Sequence, residues 1–229
     1  MNRQPHRTYF MPLNGKQAQK AAGAVLIGII LFVFLLGIFG IFRSSNNMRR
    51  NTAIQIPDLT NPAVKNNIDL VKYAENALRC KWGYVYGTYG QVLSQPLLDS
   101  HKKIYSDEVT PYLSFIYKNW MGRRVTDCSG LIKGYGWFDP ATGAINYNTN
   151  GMPDLSADGM YQAATEKGGM DSMPDTPGLA VWMDGHIGVY VGRGEVIESM
   201  TTTKGVVKTR LQGRGWLAWL KIPSIRYLE

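Results

Sequence analysis

The sequence predicts an α+β domain behind a hydrophobic N-terminal segment, and the order of its periodic segments predicts this class. Residues 66–80 carry apolar side chains at helical spacing, and a shorter helix is expected at about 156–167. Strand-like runs then follow closely, at residues 179–183, 186–192, 196–199, 205–209 and 216–220. Helices that precede a series of short strands joined by turns indicate an α+β arrangement with an antiparallel sheet.

Residues 21–42 form an uncharged apolar run of 22 residues. As a helix rising about 1.5 Å per residue it would span roughly 33 Å, enough for a hydrocarbon core of about 30 Å. The run is longer than the apolar part of a signal peptide and no small-residue cleavage site follows it, so an anchor is favoured over a cleaved signal. Four basic residues before the run against three just after it place the N-terminus in the cytoplasm. We expect a single-pass cell-membrane protein with its domain outside.

The formal net charge of +8 comes almost entirely from the N-terminal part of the chain. Residues 1–50 hold seven basic side chains and no acidic one, whereas residues 51–229 hold 18 basic and 17 acidic side chains. A basic segment next to a membrane helix suits anionic lipid headgroups. The nearly neutral remainder gives no reason to expect a basic face, so no nucleic-acid partner is predicted.

These patterns divide the 229 residues into four segments. They are a basic cytoplasmic tail at 1–20, a transmembrane helix at 21–42, a polar linker with two prolines at 43–65 and a folded domain at 66–229. A domain of about 160 residues is large enough for a single hydrophobic core.

One cysteine and one histidine stand in settings that suit catalysis. Cys128 lies in the run TDCSG at 126–130, and His186 opens the run HIGVYVG at 186–192. A cysteine and a histidine brought together can act as nucleophile and general base. Cys128 is expected to begin a buried helix, whose N-terminal dipole favours a thiolate. A lone cysteine in an apolar helix is more often a core residue, but its polar neighbours Asp127 and Ser129 favour catalysis.

Three motifs resemble those of the NlpC-type cell-wall cysteine peptidases, papain-like enzymes of bacteria and their phages. They are WGYVYG at 82–87, DCSGLI at 127–132 and the run at 186–192, and the resemblance covers roughly residues 66–229. It implies a papain-like core in which a helix carrying the cysteine packs on an antiparallel sheet carrying the histidine. It also implies thiol endopeptidase activity on peptidoglycan stem peptides, at the bond from a γ-D-glutamyl residue to a diamino acid, without a cofactor.

The resemblance implies a third catalytic residue about twelve positions after the histidine, which is Glu198. The family most often has histidine there, but a carboxylate can also orient an imidazole. Glu198 shares a face with His186 if the hairpin loop is three residues long, 192–194, or if the hairpin contains a bulge. A two-residue loop without a bulge would turn Glu198 to the other face. The alternative is a solvated strand residue.

The resemblance further implies that Tyr84, Asp127 and Ser129 contact substrate. A core aromatic residue is the alternative for Tyr84, and helix capping is the alternative for the other two. Other aromatic residues could take the place of Tyr84, namely Trp82, Tyr86 and Tyr89.

The segment 88–126 is longer than the corresponding segment of typical family members. Its apolar pattern predicts one or two additional helices, which would form a cap or one wall of the substrate cleft, or else a peripheral decoration.

The chain has two cysteines, Cys80 and Cys128, too few for a disulfide framework. A bridge between them would block the nucleophile, so none is predicted, and Cys80 is expected at the buried end of a helix. Because no Cys/His group has zinc-site spacing, no metal is predicted.

Two other functions stay open. One is an N-acetylmuramoyl-L-alanine amidase of the CHAP type or an acyl transferase, which would use the same thiol. The other is a catalytically silent scaffold that binds the cell wall. The expected partners are the stem peptide and, through the N-terminal helix, the membrane, while partners in an envelope assembly are unknown.

Overall fold

A computed structural model describes residues 59–61 and 63–228. In this part of the chain the predicted α+β order is confirmed. The predicted tail at 1–20, the predicted transmembrane helix at 21–42 and most of the predicted linker lie outside the described residues. Among the helices within 59–61 and 63–228, none has the length and apolar character needed to cross a membrane.

The described helices lie mostly before the sheet in chain order. They are α1 (Asn67–Arg79), α2 (Gln95–Ile104), α3 (Ser106–Val109), α4 (Leu113–Asn119), α5 (Cys128–Gly136) and α6 (Ala157–Ala163), with 3-10 turns at Thr110–Tyr112 and Met170–Ser172. The helix expected at about 156–167 ends at Ala163, because the following residues turn into a strand.

The main sheet has six antiparallel strands in the order β5-β10-β6-β7-β8-β9. These strands are β5 (Lys167–Gly169), β6 (Ala180–Met183), β7 (His186–Gly192), β8 (Glu195–Thr201), β9 (Gly205–Arg210) and β10 (Ala218–Leu220). Strands β6 to β9 follow one another as a meander, whereas β10 crosses back to pair with β6. Two small sheets pair β1 (Tyr89–Val92) with β2 (Arg124–Thr126) and β3 (Phe138–Asp139) with β4 (Ala144–Ile145).

The helix that begins at Cys128 is buried between α1 and the main sheet. All residues of α5 after Cys128 are buried, and its apolar side chains share one core with α1 and with β7 and β8 of the sheet. Two glycines let α5 approach the chain at Thr88 and Tyr89, because a Cβ atom at Gly130 or Gly134 would collide with the carbonyl oxygens of those residues. The close packing fixes the position of the Cys128 end of the helix.

The segment between β1 and β2 contains the additional helices. Helices α2, α3 and α4 form a second, smaller core of their own with the strand pair, in which Leu98, Val109 and Ile116 are fully buried. The indole N–H of Trp120 donates to the carbonyl of Thr202 over 2.7 Å and so ties this segment to the β8–β9 turn. The expectation that Cys80 is buried is wrong, because α1 ends at Arg79 and Cys80 is an exposed C-cap residue.

The β7–β8 hairpin combines a two-residue loop with a bulge. The loop is Arg193 and Gly194, both with positive φ (55° and 70°), as in a type I′ turn. The register shifts between Tyr190 and Gly192, so that Val189 lies opposite Ile197. The extra residue offsets the short loop, and Glu198 lies on the face of the sheet that carries His186. Of the two arrangements that could place it there, the bulge is the one observed.

Candidate active site

His186 and Glu198 form a buried hydrogen-bonded pair. Nε2 of His186 lies 2.6 Å from Oε2 of Glu198, whose side chain is fully buried. Burial alone would raise the pKa of Glu198, but hydrogen bonds from His186, Arg214 and Thr209 lower it to about 2. Since the carboxylate is ionised, Nε2 carries the hydrogen, and Nδ1 of His186 is left as the proton acceptor.

Two residues that sequence reasoning missed complete the surroundings of the Glu198 carboxylate. Arg214 donates to Oε1 through Nε (2.9 Å) and to Oε2 through Nη2 (2.8 Å), while the hydroxyl of Thr209 donates to Oε1 over 2.7 Å. Arg214 lies in the loop after β9, sixteen positions after Glu198. Its flanking glycines, Gly213 and Gly215, are a turn signal and not a catalytic one, so no local pattern marks it.

Cys128 lies at the start of α5, beside the strand that carries His186. Its partly buried sulfur is 3.9 Å from the carbonyl oxygen of Gly185, the residue before the histidine. Burial and the carboxylate of Asp127 raise the pKa of the thiol to about 12, although backbone N–H groups of Ser129, Ile187 and Cys128 favour the thiolate. Desolvation therefore outweighs the lowering effect that the helix N-terminus was expected to have on the pKa of this thiol. The resting thiol needs a base.

Asp158 fixes the turn before His186 through hydrogen bonds, and Trp216 fixes the imidazole ring through stacking. Asp158 on α6 accepts hydrogen bonds from the Gly185 N–H (2.8 Å) and from the Trp182 indole (2.9 Å). On the other side the Trp216 ring stacks on the imidazole, with centroids 5.6 Å apart and planes 13° apart. Gly188 leaves room for this arrangement, because a Cβ atom there would meet Val196 and press on Trp216 and Glu198.

Asp127 caps the cysteine helix. Its Oδ1 accepts from the Gly130 N–H (2.6 Å) and from the Ser129 hydroxyl (3.2 Å), and its Oδ2 accepts from the Gly87 N–H (2.9 Å). Both Asp127 and Ser129 are buried. Helix capping, the alternative considered for them, accounts for these hydrogen bonds, and their role as substrate contacts stays a prediction.

The aromatic residues of the 82–87 motif divide into two groups. Trp82 is buried in the main core, and the neighbouring Tyr89 packs edge-on against Trp137. Tyr84 and Tyr86 instead lie close enough to Cys128 and Asp127 to interact with them electrostatically. Burial raises the pKa of both tyrosines, and negative charge on Cys128 or Asp127 raises it further. Tyr84 is therefore near the proposed nucleophile, and its contact with substrate stays a prediction.

Replacing Asp127 by alanine is expected to destabilise the domain by about 1–3 kcal/mol, because the cap of α5 and the partner of the half-buried Gly87 N–H are lost together. Asp107→Ala, an exposed acidic residue on α3, is the matched control and is expected to stay within about 0.5 kcal/mol. Urea unfolding of the three proteins measures the difference. Equal midpoints for both variants would contradict the capping role.

The described residues hold no group of three or more His, Cys, Asp or Glu side chains that could bind a metal ion. Cys80 and Cys128 are both free thiols.

Several solved structures are similar to this chain. The NlpC/p60 domain of the peptidoglycan hydrolase SagA is 14% identical with a TM-score of 0.39, over 68% of this chain and 98% of that one. The peptidoglycan hydrolase RipB from Mycobacterium tuberculosis is 17% identical with a TM-score of 0.38, over 71% and 68%. The P60 domain of an antigen from M. avium subspecies paratuberculosis is 18% identical with a TM-score of 0.37, over 70% and 98%. No protein-family profile matches this chain, and no curated protein matches it.

Proposed function

We propose that this chain is a thiol hydrolase of peptidoglycan stem peptides, held at the outer face of the cell membrane by residues 21–42. One observation carries the chemistry. His186 at the start of β7 lies 2.6 Å from Glu198 on β8, and the residue before His186, Gly185, contacts the Cys128 sulfur through its carbonyl. The substrate class and the anchor are supported by the sequence, through the three motifs and the apolar run.

Catalysis would proceed through a thioester. As the Cys128 sulfur attacks the scissile carbonyl, the thiol proton moves to Nδ1 of His186 and a C–S bond forms. The imidazolium then gives this proton to the leaving amine as the C–N bond breaks. Water, deprotonated by His186, adds to the thioester, the C–S bond breaks and the thiol is restored. Because the pKa of the resting thiol is raised, proton transfer accompanies the attack. The backbone N–H of Cys128 can stabilise the oxyanion.

The helical segment between β1 and β2 is proposed as one wall of the substrate cleft. The ring of Tyr105, the residue before α3, packs edge-on against Tyr86 with centroids 5.2 Å apart. Tyr86 is 39% exposed and lies on the side of the sulfur. The exposed Tyr86 ring, supported by the half-buried Tyr105 ring, offers an apolar surface for the substrate backbone beside the nucleophile.

The test is digestion of purified peptidoglycan by the full-length protein in detergent, under reducing conditions and across several wall chemotypes, with products identified by mass spectrometry. The expected products are stems cut after the D-glutamyl residue, with a new amino terminus on the diamino acid. Intact stem peptides freed from glycan would identify an amidase instead. No product from any wall would overturn the hydrolase proposal and favour a wall-binding scaffold.

A further inference from the structure

Arg214 contacts two residues of the candidate active site, Glu198 and Trp216. Its guanidinium forms a two-pronged contact with both carboxylate oxygens and lies over the Trp216 ring, 5.5 Å from the centroid. Trp216 in turn stacks on His186. Arginine presents its N–H groups in a rigid fork that matches a carboxylate, so this contact fixes the orientation of Glu198 as well as its charge.

The arrangement has an electrostatic consequence for His186. Nη2 of Arg214 and Nε2 of His186 both bond to Oε2 of Glu198, at 2.8 and 2.6 Å. These two nitrogen atoms are therefore no more than about 5.4 Å apart. A buried carboxylate alone would strongly favour the imidazolium, which cannot accept the thiol proton. With Arg214 beside it, the carboxylate is already neutralised, and its attraction for a proton on His186 is reduced.

Other polar groups around the site come from three elements, α5, α6 and β9, and from the segment before β1. Cys128 and Asp127 lie at the start of α5, and Tyr84 lies before β1. Asp158 on α6 contacts the turn before His186, and Thr209 on β9 contacts Glu198 with a hydroxyl that stays neutral. In this set of described side chains, Arg214 is the cation that hydrogen-bonds Glu198.

We propose that Arg214 is a positioning residue of the active site, which fixes the Glu198 carboxylate for its bond to His186 and cancels its charge so that the imidazole can accept the thiol proton. This inference rests on the proposed function for its catalytic meaning, although the charge effect itself can be measured without turnover.

The experiment compares four full-length proteins: wild type, Arg214→Met, Arg214→Lys and Arg210→Met. Arg210→Met is the matched control, because it also removes one arginine charge. Arg210 is an exposed residue on β9 and lies opposite Glu195 on β8. The ring proton of His186 is followed by NMR from pH 4 to pH 10, with the signal assigned through His186→Gln. In parallel, kcat/KM is measured over the same pH range on soluble muropeptides that have been released from purified peptidoglycan.

Arg214→Met is expected to raise the His186 titration midpoint by about one pH unit and to move the limbs of the kcat/KM profile upward with it. Arg214→Lys and Arg210→Met are expected to stay within about 0.3 unit of wild type, since each leaves a cation beside Glu198. In Arg214→Met the value of kcat falls, about tenfold, while KM stays near wild type.

An unmoved midpoint in a folded Arg214→Met protein would overturn the inference, even if activity falls, because a purely structural role lowers activity without shifting the profile. Arg214→Gln serves as a second neutral variant if methionine unfolds the loop. A shifted midpoint in a chain that hydrolyses no peptidoglycan would support the charge effect and overturn the proposed function instead. Hydrolysis by wild type with an unmoved midpoint would overturn the Arg214 inference alone.

Discussion

Cys128→Ala is expected to abolish hydrolysis of peptidoglycan, with kcat/KM lowered by about 10⁴-fold or more, because the thioester cannot form without the sulfur. The residual rate would come only from substrate binding and the backbone oxyanion donor. The sulfur is partly buried and its hydrogen bond to the Gly185 carbonyl is long, at 3.9 Å, so the variant should fold. The measurement is release of stem fragments at equal protein concentrations.

Cys80→Ala is the matched control for this prediction. Cys80 is the second free thiol of the chain and lies exposed at the end of α1. We expect activity within about twofold of wild type, because exposed substitutions away from the site have small effects. If Cys128→Ala kept more than a tenth of wild-type activity, a thiol mechanism through this residue would be wrong. Loss of activity in both variants would instead indicate general thiol sensitivity.

Glu198→Ala is expected to damage both stability and catalysis. The carboxylate is fully buried and bonds to His186, Thr209 and Arg214, so its removal leaves a guanidinium without its buried counter-ion. Breaking such a pair from one side costs about 3–5 kcal/mol. Loss of the imidazole's orienting partner is expected to lower kcat by about 10²–10⁴-fold.

The pH dependence of stability gives this prediction a second readout. The pKa of Glu198 is lowered from 4.5 to about 2 in the folded state. A carboxyl group whose pKa is lower in the folded than in the unfolded state stabilises the fold at every pH above its unfolded pKa. For Glu198 this contribution to the free energy of unfolding is roughly 3 kcal/mol, and it is lost as the pH falls from about 4.5 to about 2. In Glu198→Gln the contribution is missing, so wild type and variant should converge in urea unfolding as the pH falls through this range.

Glu195→Gln on the same strand is the control for both readouts. Glu195 pairs with Lys208, but both side chains are over 40% exposed. A solvated ion pair contributes little, so the change in unfolding free energy should stay below about 1 kcal/mol. Equal losses of stability in Glu195→Gln and Glu198→Gln at neutral pH would contradict the role given to the buried pair.

The sequence could predict Cys128 and His186 because each stands inside a local pattern. The apolar run after Cys128 and the glycines around it predict a close-packed helix, and the alternation after His186 predicts a strand; both elements are observed. The partnership of His186 with Glu198 depended on the hairpin register. Because Gly192, Arg193 and Gly194 fit either loop length, only the structure could show a bulge beside a two-residue loop.

Three features of the site lie beyond local reasoning. Arg214 reaches Glu198 from a loop that follows β9, and its side chain meets the carboxylate only when the sheet is assembled. Burial raises the pKa of the Cys128 thiol, and the helix-start position alone does not reveal this burial. Likewise, an aspartate just before a helix predicts a cap, so the capping role of Asp127 could be considered from the sequence. Its hydrogen bond from the Gly87 N–H could not, because it joins residues forty positions apart.

The measurement that tests the central claim most directly is a double-mutant cycle in kcat/KM with His186→Ala, Glu198→Gln and the combined variant. If Glu198 acts on the thiol through His186, the two residues are one catalytic unit, and the combined variant should be no slower than His186→Ala, within about threefold. If the losses of the single variants instead multiply in the combined variant, Glu198 does not act through the imidazole, and the Cys128–His186–Glu198 assignment is wrong.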